Sequence, residues 1–448
     1  MTLLGNGPLS ALRVMIAALV FFYAAPAGAK EKHCNVQPVN YKGWSAQEIR
    51  NEWVGLTVVP KLGGRLMQVT FGQHEYLFVN KRYEGKYLPP LAPNDPPTWY
   101  NYGGDKIWPL PEGRNDDKHW PGPLADALDD GDYAFTVLSQ GGVCTVRLDG
   151  PPDKRTGLQY SREISLSADS PKISFHAVMK NSSVHEIEWS MQSVTQYNTA
   201  DTSGQRASSD IWAFAAANEH SSYNGGYFVR SGSAPAGLRV KDGLVQLNYS
   251  STECELWFDT QGGWLAVADS AAQYAMVERF QVEKGKTYPG QATIIFYTND
   301  GNDPNESFLY YMEAEVNSPM ARLQPGETYS MDTEWYPTRA GKDFLAVTEA
   351  GVVVEHLSIS GGPETRKLWG RFGVFFPGTI VAKLFDENGK KISELKLRKV
   401  TPGEAVKLEE KIKIPRKASR VALCLIDSQG RQQQGVLDEI SVPPGGGG

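Results

Sequence analysis

The sequence predicts an all-β protein, one very large antiparallel sandwich followed by a small one. Three observations carry this. Segments such as GLTVVPKLGGRLMQVTFGQHEYLFVN, KISFHAVMKNSSVHEIEWSMQSVTQYN and GQATIIFYTND alternate apolar and polar residues, are rich in β-branched and aromatic side chains, and are broken by turns. Few stretches hold a helical period beyond two turns. The span from Trp53 to about Pro337 is too long for one simple sandwich and suits a very large one.

The first element in chain order is a leader. Arg13 precedes an apolar run from Val14 to Ala25, and the small residues Ala25-Pro26-Ala27-Gly28-Ala29 follow. That is the order of a secretory signal, with Ala27-x-Ala29 placing cleavage after Ala29. Residues 1–29 are expected to be removed, and the mature chain exported to the periplasm or beyond. The apolar run falls short of the ~20 residues that span a bilayer, so no integral membrane protein is expected after cleavage. Cys34 follows Glu31, Lys32 and His33, which is not a lipoprotein context. The net charge of −6 argues against a nucleic-acid partner, which needs a basic footprint.

The large sandwich is expected over 30–338. Within it, NYGGDKIWPLPE (101–112) reads as a loop, because Pro109 and Pro111 lack donors for a helix or a central strand. Such rigid loops often bind ligands. Asn101, Asp105, Lys106 and Trp108 are therefore candidate binding residues, with Trp120 from the following GRNDDKHWPGP. The bland reading is a solvated loop closed by an Asp105–Lys106 surface contact. With 11 Trp and 20 Tyr, many beside Gly, Pro or Asn, the chain has flat faces on which a sugar ring could stack.

DPNESFLYYMEAEV reads as a helix start or a strand entry. As a strand, it puts Glu313 and Glu315 on one face, because side chains repeat every two residues. Neighbouring carboxylates repel, so one tends to stay protonated, and the pair can act as acid and base or grip hydroxyls. In the alternative, both point into water and Met312 and Ala314 form the buried face.

After YPTRAGKDF (336–344) the sequence changes character. Residues 344–443 are expected to form a small immunoglobulin-like β-sandwich, joined by an exposed, cleavable link at Arg339–Lys342. Asn388-Gly389 marks a hairpin, since both residues accept positive φ. The closing PPGGGG reads as a disordered tail. Cys34, Cys144, Cys254 and Cys424 allow three pairings, and spacing does not choose. No cofactor or metal is expected. The seven histidines form no recognisable triad, GxSxG, HExxH and P-loop motifs are missing, and the acidic turns DALDDGDY and NDGNDP do not match a calcium loop.

VVPKLGGRLMQVTFGQHEYLFVN resembles the opening strands of the galactose mutarotase-like superfamily. NYGGDKIWPLPE, VMKNSSVHEIEWSMQSVTQYN and LQPGETYSMDTEW resemble a bacterial branch of it known as a domain of unknown function. The resemblance covers residues 50–337 and implies a β-supersandwich with a carbohydrate site on its concave face. Aldose epimerases in the superfamily use a histidine acid and a glutamate base. Glu313 stands at the position of that glutamate, whereas the strand that should carry the histidine has Gln192 and Gln196. Glutamine is no proton donor of that kind, so the resemblance supports sugar binding more than mutarotation. Arg279 joins the candidates because MVERFQVEKGKTYPG resembles the superfamily's strand before a Tyr-Pro loop.

The reading is thus an exported carbohydrate-recognising protein. Glu313 and Glu315 are the candidate catalytic residues. Asn101, Asp105, Lys106, Trp108, Trp120, Gln192, Gln196 and Arg279 are the candidate binding residues. Trp108→Ala is expected to spare folding, as a loop aromatic would. Two rivals stand beside this reading: an aldose epimerase or glycan hydrolase or lyase using Glu313 as base, and a structural envelope protein.

Overall fold

Alternation along the chain becomes two stacked antiparallel sheets. The computed structural model describes residues 32–88 and 98–442, except 115, 117, 125, 304–305, 363–364 and 433–434, and the side chains of 303 and 306–308. The expected leader (1–29) and glycine tail lie outside the described residues. No α-helix occurs among those described, and none of their helical turns is long and apolar enough to cross a membrane.

Among the described residues the first sheet has 12 strands. Its centre runs Arg65–Phe71, Asp105–Leu110, Ile187–Asn198, Tyr311–Asn317, Ile294–Thr298, Cys254–Phe258. The second has 10 strands, with Tyr274–Phe280, Thr328–Thr338, Ile173–Asn181 and Leu158–Ser167 adjacent in that order. Tyr197, Met312, Ala314 and Val316 of the first sheet share an apolar core with Ile164, Phe175, Met276 and Trp335 of the second. Leu158–Ser167 alternates buried and half-buried residues, as a sheet with one open face should. Asp105–Leu110 and Tyr311–Asn317 are buried at every position. Both faces of the central strands are therefore covered.

The 101–112 segment is not a loop. Asp105–Leu110 is a strand pairing with Ile187–Asn198 over six residues, from Asp105↔Thr195 to Leu110↔Ser190. It meets the strand on its other side at one position, Leu66↔Asp105. Pro109 shares the phase of Asp105, so its missing N–H points to the edge where no ladder continues. The two preceding glycines explain the tight entry: a Cβ on Gly103 (φ +93°) would stand 2.2 Å from the Phe78 carbonyl oxygen.

Two four-stranded sheets follow. One runs Ala346–Val347, Gly351–Gly361, Arg366–Val374, Val406–Ile412; the other runs Lys391–Val400, Gly378–Phe385, Arg420–Ile426, Asp438–Ser441. They enclose their own core, with Leu368, Ile380, Leu384, Leu408 and Leu423 fully buried. Asp386 Oδ1 accepts from Asn388 N and Lys390 N to close the hairpin, and of its Asn-Gly pair Gly389 alone has positive φ (76°). The link differs from expectation. Ala340 and Gly341 are buried, and Lys342 is exposed. Phe344 is fully buried and stacks on Phe214 at 4.4 Å, so the joint is packed against the large sandwich. Cys34 pairs with Cys144, while Cys254 and Cys424 are buried free thiols.

Candidate functional site

Strand register lays polar residues out in rows on the face of the first sheet turned away from the second. One row reads Glu255, Tyr297, Glu313, Gln196; the next reads Trp257, Ile295, Glu315, Val194, Lys106; a third reads Asn317, Gln192, Trp108. All share one face because they occupy one phase of a period-two pleat. Glu313 and Glu315 are each 6 % exposed and Lys106 is 2 % exposed, so neither carboxylate points into water.

Each glutamine serves one glutamate. Gln196 Nε2 donates to Glu313 Oε1 at 2.7 Å, and Gln192 Nε2 donates to Glu315 Oε2. Lys106 Nζ lies 3.5 Å from Glu313 Oε1 and 4.3 Å from the centre of the Trp108 ring. It has no hydrogen-bond partner, and neither has Gln196 Oε1. Burial pulls the Lys106 ammonium below its usual range, and the nearby Glu313 charge opposes that shift. Burial pushes Glu315 well above the carboxylate range, and repulsion from Glu313 adds to it. The face therefore holds a carboxyl group that burial makes harder to ionise beside a second one that is paired with a lysine.

The indoles are held from behind. Asp129, fully buried, accepts from Trp108 Nε1 at 2.7 Å, from Trp99 Nε1 at 3.0 Å and from Arg65 Nη2 at 2.7 Å. Trp108 also packs on Trp120 at 5.4 Å and on Trp99 at 5.9 Å. A cavity of about 400 Å³, lined in part by Trp99, Asn101 and Tyr311, adjoins this face. Neither this cavity nor the larger ones of about 660, 650 and 780 Å³ is lined by any of the paired glutamates or glutamines.

The structure thus brings together Lys106, Trp108, Gln192, Gln196, Glu313 and Glu315, with Asn101 at the rim. Three candidates fall away. Asp105 has the opposite phase to Lys106, faces the inter-sheet core and pairs with Arg162 and Thr195 Oγ1, so no Asp105–Lys106 surface contact exists. Trp120 is fully buried behind Trp108, its Nε1 donating to Asp126. Arg279 belongs to the second sheet and has the phase of Ala275 and Val277, which face the C-terminal sandwich.

The sequence reading also missed residues. Glu255 and Trp257 lie on this face, with Trp257 Nε1 donating to Glu255 Oε1 at 2.6 Å and Arg230 Nη1 to Glu255 Oε2 at 3.0 Å. The alternation in Cys254-Glu255-Leu256-Trp257-Phe258 marks them as a same-face polar pair, as it does Glu313 and Glu315. Glu112, just past the 105–110 strand, is pushed up to about 7 by burial and by Glu255. Among the described residues no cluster of His, Cys, Asp and Glu is arranged to hold a metal ion.

Residues 46–337, more than half of the chain, match the family described as Domain of unknown function (DUF4380). The chain belongs to that family. Among solved structures it is similar to the Slr1438 protein of Synechocystis sp. PCC 6803, at 14 % identity and TM-score 0.46, covering 68 % of this chain and 96 % of that one. A galactose mutarotase-like protein from Lactobacillus casei ATCC 334 shows 10 % identity and TM-score 0.44, covering 68 % of this chain and 100 % of that one. Another, from Clostridium acetobutylicum, shows 12 % identity and TM-score 0.44, covering 69 % and 99 %. The family and the mutarotase-like structures are those the sequence resemblance points to. No curated protein matches the sequence.

Proposed function

We propose that this protein is exported and recognises a carbohydrate on the outer face of its large sheet. One observation carries the reading: on that face Gln196 Oε1 is buried without a hydrogen-bond partner, and Lys106 Nζ is buried with only its ion pair to Glu313 at 3.5 Å. A buried polar group left unpaired costs roughly 1–3 kcal/mol. A ligand that offers both acceptors and donors relieves this, and a sugar hydroxyl does both. Trp99, half-buried beside Lys106, supplies an apolar ring face suited to the C–H face of a pyranose, and Trp108 packs against it. Export is supported by the leader and by the Cys34–Cys144 disulfide, which suits an oxidising compartment.

A glycan array on the wild type, repeated on Lys106→Met/Glu313→Gln, tests recognition. Replacing a buried ion pair as a whole is often neutral or stabilising. The double variant should therefore melt no lower than wild type while binding at least ~10-fold more weakly. A variant that keeps its affinity, or a wild type that binds no saccharide, sinks the reading. Sequencing of exported material should begin at Lys30, and an intact Met1 would rule out the leader.

Catalysis is the second reading, favoured by the two carboxyl groups of Glu313 and Glu315 side by side on one face, with burial shifting Glu315 upward. An acid and a base on one face could open a sugar ring or cleave a glycan. Glu313→Gln should abolish turnover if Glu313 is a base, and should only weaken binding if it accepts hydrogen bonds.

A further inference from the structure

We propose that the saccharide is acidic, its carboxylate or sulfate held by Arg82 and Lys86 at the mouth of the cavity beside Trp99; this rests on the saccharide reading above. The cavity of about 400 Å³ places the parts together. Trp99 and Tyr311 wall it, and Arg82, Lys86 and Asn101 are among its polar lining. Among the described residues no Asp or Glu lines it. It borders the candidate site at two points. Tyr311 stands two residues before Glu313 on one strand and shares its phase. The centre of the Trp99 ring lies 5.9 Å from Lys106 Nζ. The cavity of about 660 Å³ also reaches Arg82 but mixes the signs, with Glu75 and Asp201 among its lining.

The backbone that carries the two cations is fixed. Asn80 Oδ1 accepts from Arg82 N at 2.9 Å, and Trp44 Nε1 donates to the Lys86 carbonyl at 2.8 Å. Lys86 Nζ donates to the Arg82 carbonyl at 2.7 Å, not to a carboxylate. Glu84, the acid between them in sequence, pairs with Lys42 at 2.9 Å and does not line the cavity. Asn101 Oδ1 accepts from Gly103 N at 3.2 Å, which leaves its Nδ2 to donate. The mouth thus offers positive charge and N–H donors. A neutral sugar gains nothing from that charge, and an amino sugar is repelled by it. A carboxylate or sulfate takes up charge and donors together.

Calorimetry with glucose oligomers, glucuronate oligomers and sulfated glucose oligomers of equal length tests this. An acidic ligand should bind at least ~10-fold tighter than the neutral one, and the tighter of the two acidic ligands identifies the acid. That advantage should shrink as salt is raised. Arg82→Gln/Lys86→Gln should narrow the acidic-over-neutral ratio at an unchanged melting temperature, since both side chains are exposed. Equal or tighter binding of the neutral ligand overturns the acidic assignment and leaves saccharide recognition standing. A ratio that survives in the double variant overturns the role given to Arg82 and Lys86. If none of the three binds, the saccharide reading fails with it.

Discussion

Glu278 shows how a single buried carboxyl can set the pH dependence of the whole fold. It lies between the sheets, fully enclosed, with Tyr197 Oη donating to its Oε1 at 2.6 Å and its Oε2 unpartnered. Burial pushes it up to about 8. Between its ordinary range and that value the folded chain holds a proton that the unfolded chain has lost. Its contribution to stability is therefore complete below the ordinary carboxylate range and is lost as pH rises toward 8. The slope is at most ~1.4 kcal/mol per pH unit. Glu278→Gln keeps the acceptor for Tyr197 and removes the titration. Compared with wild type, its urea midpoint should rise between about pH 5 and about pH 8. A wild type and variant with parallel pH profiles would refute the assignment. The same-face pairing of Glu313 and Glu315 was legible from the strand period alone. Which side of the strand was buried was not, because residues on both faces of Tyr311–Asn317 are enclosed.

The strand Asp105–Leu110 is where local reading and tertiary structure part. Two prolines and a Gly-Gly pair signal a loop, and the signal is sound for a strand with neighbours on both sides. Here the ladder on one side ends at Asp105, so the proline is tolerated in the middle of the sheet. The consequence for Trp108 is direct. It is 4 % exposed, bonded to Asp129 and wedged against Trp120. Trp108→Ala should lower stability by ~3–5 kcal/mol, as other large-to-small core changes do. Chemical denaturation measures it. An unchanged midpoint would return Trp108 to the status of a loop aromatic. Any loss of sugar binding in this variant must be read against its folded fraction, which is why the Lys106/Glu313 pair is the cleaner probe.

At the scale of the molecule, the joint between the large sandwich and the C-terminal sheets behaves as core. Tyr336 stacks on Phe375 at 4.6 Å, Thr338 Oγ1 donates to the Val374 carbonyl at 2.9 Å, and Leu345 N donates to Val353 O at 2.9 Å. Exposure of Lys342 alone does not make the link a protease site, since a protease needs several residues of free backbone. Trypsin under native conditions should leave Arg339 and Lys342 uncut. Early release of a stable fragment ending near Arg339 would show that the two sandwiches separate readily. We propose residues 344–443 as an accessory module packed on the large sandwich through Phe214, Phe344 and Phe375.

The sequence by itself determined the all-β class, the alternation within each strand and the shared face of Glu313 and Glu315. These are local consequences of backbone geometry, readable wherever the pleat repeats every two residues. It also carried the glutamines that stand opposite those glutamates, though not their bonds. Only the tertiary structure decided that Lys106 and Asp105 look in opposite directions, one to the candidate site and one to the inter-sheet core. It likewise decided that Glu255, far away in the chain, joins Glu313 across Tyr297, and that Cys34 meets Cys144. Strand order and burial are set by packing among distant segments. No window of sequence short enough to show alternation contains that information.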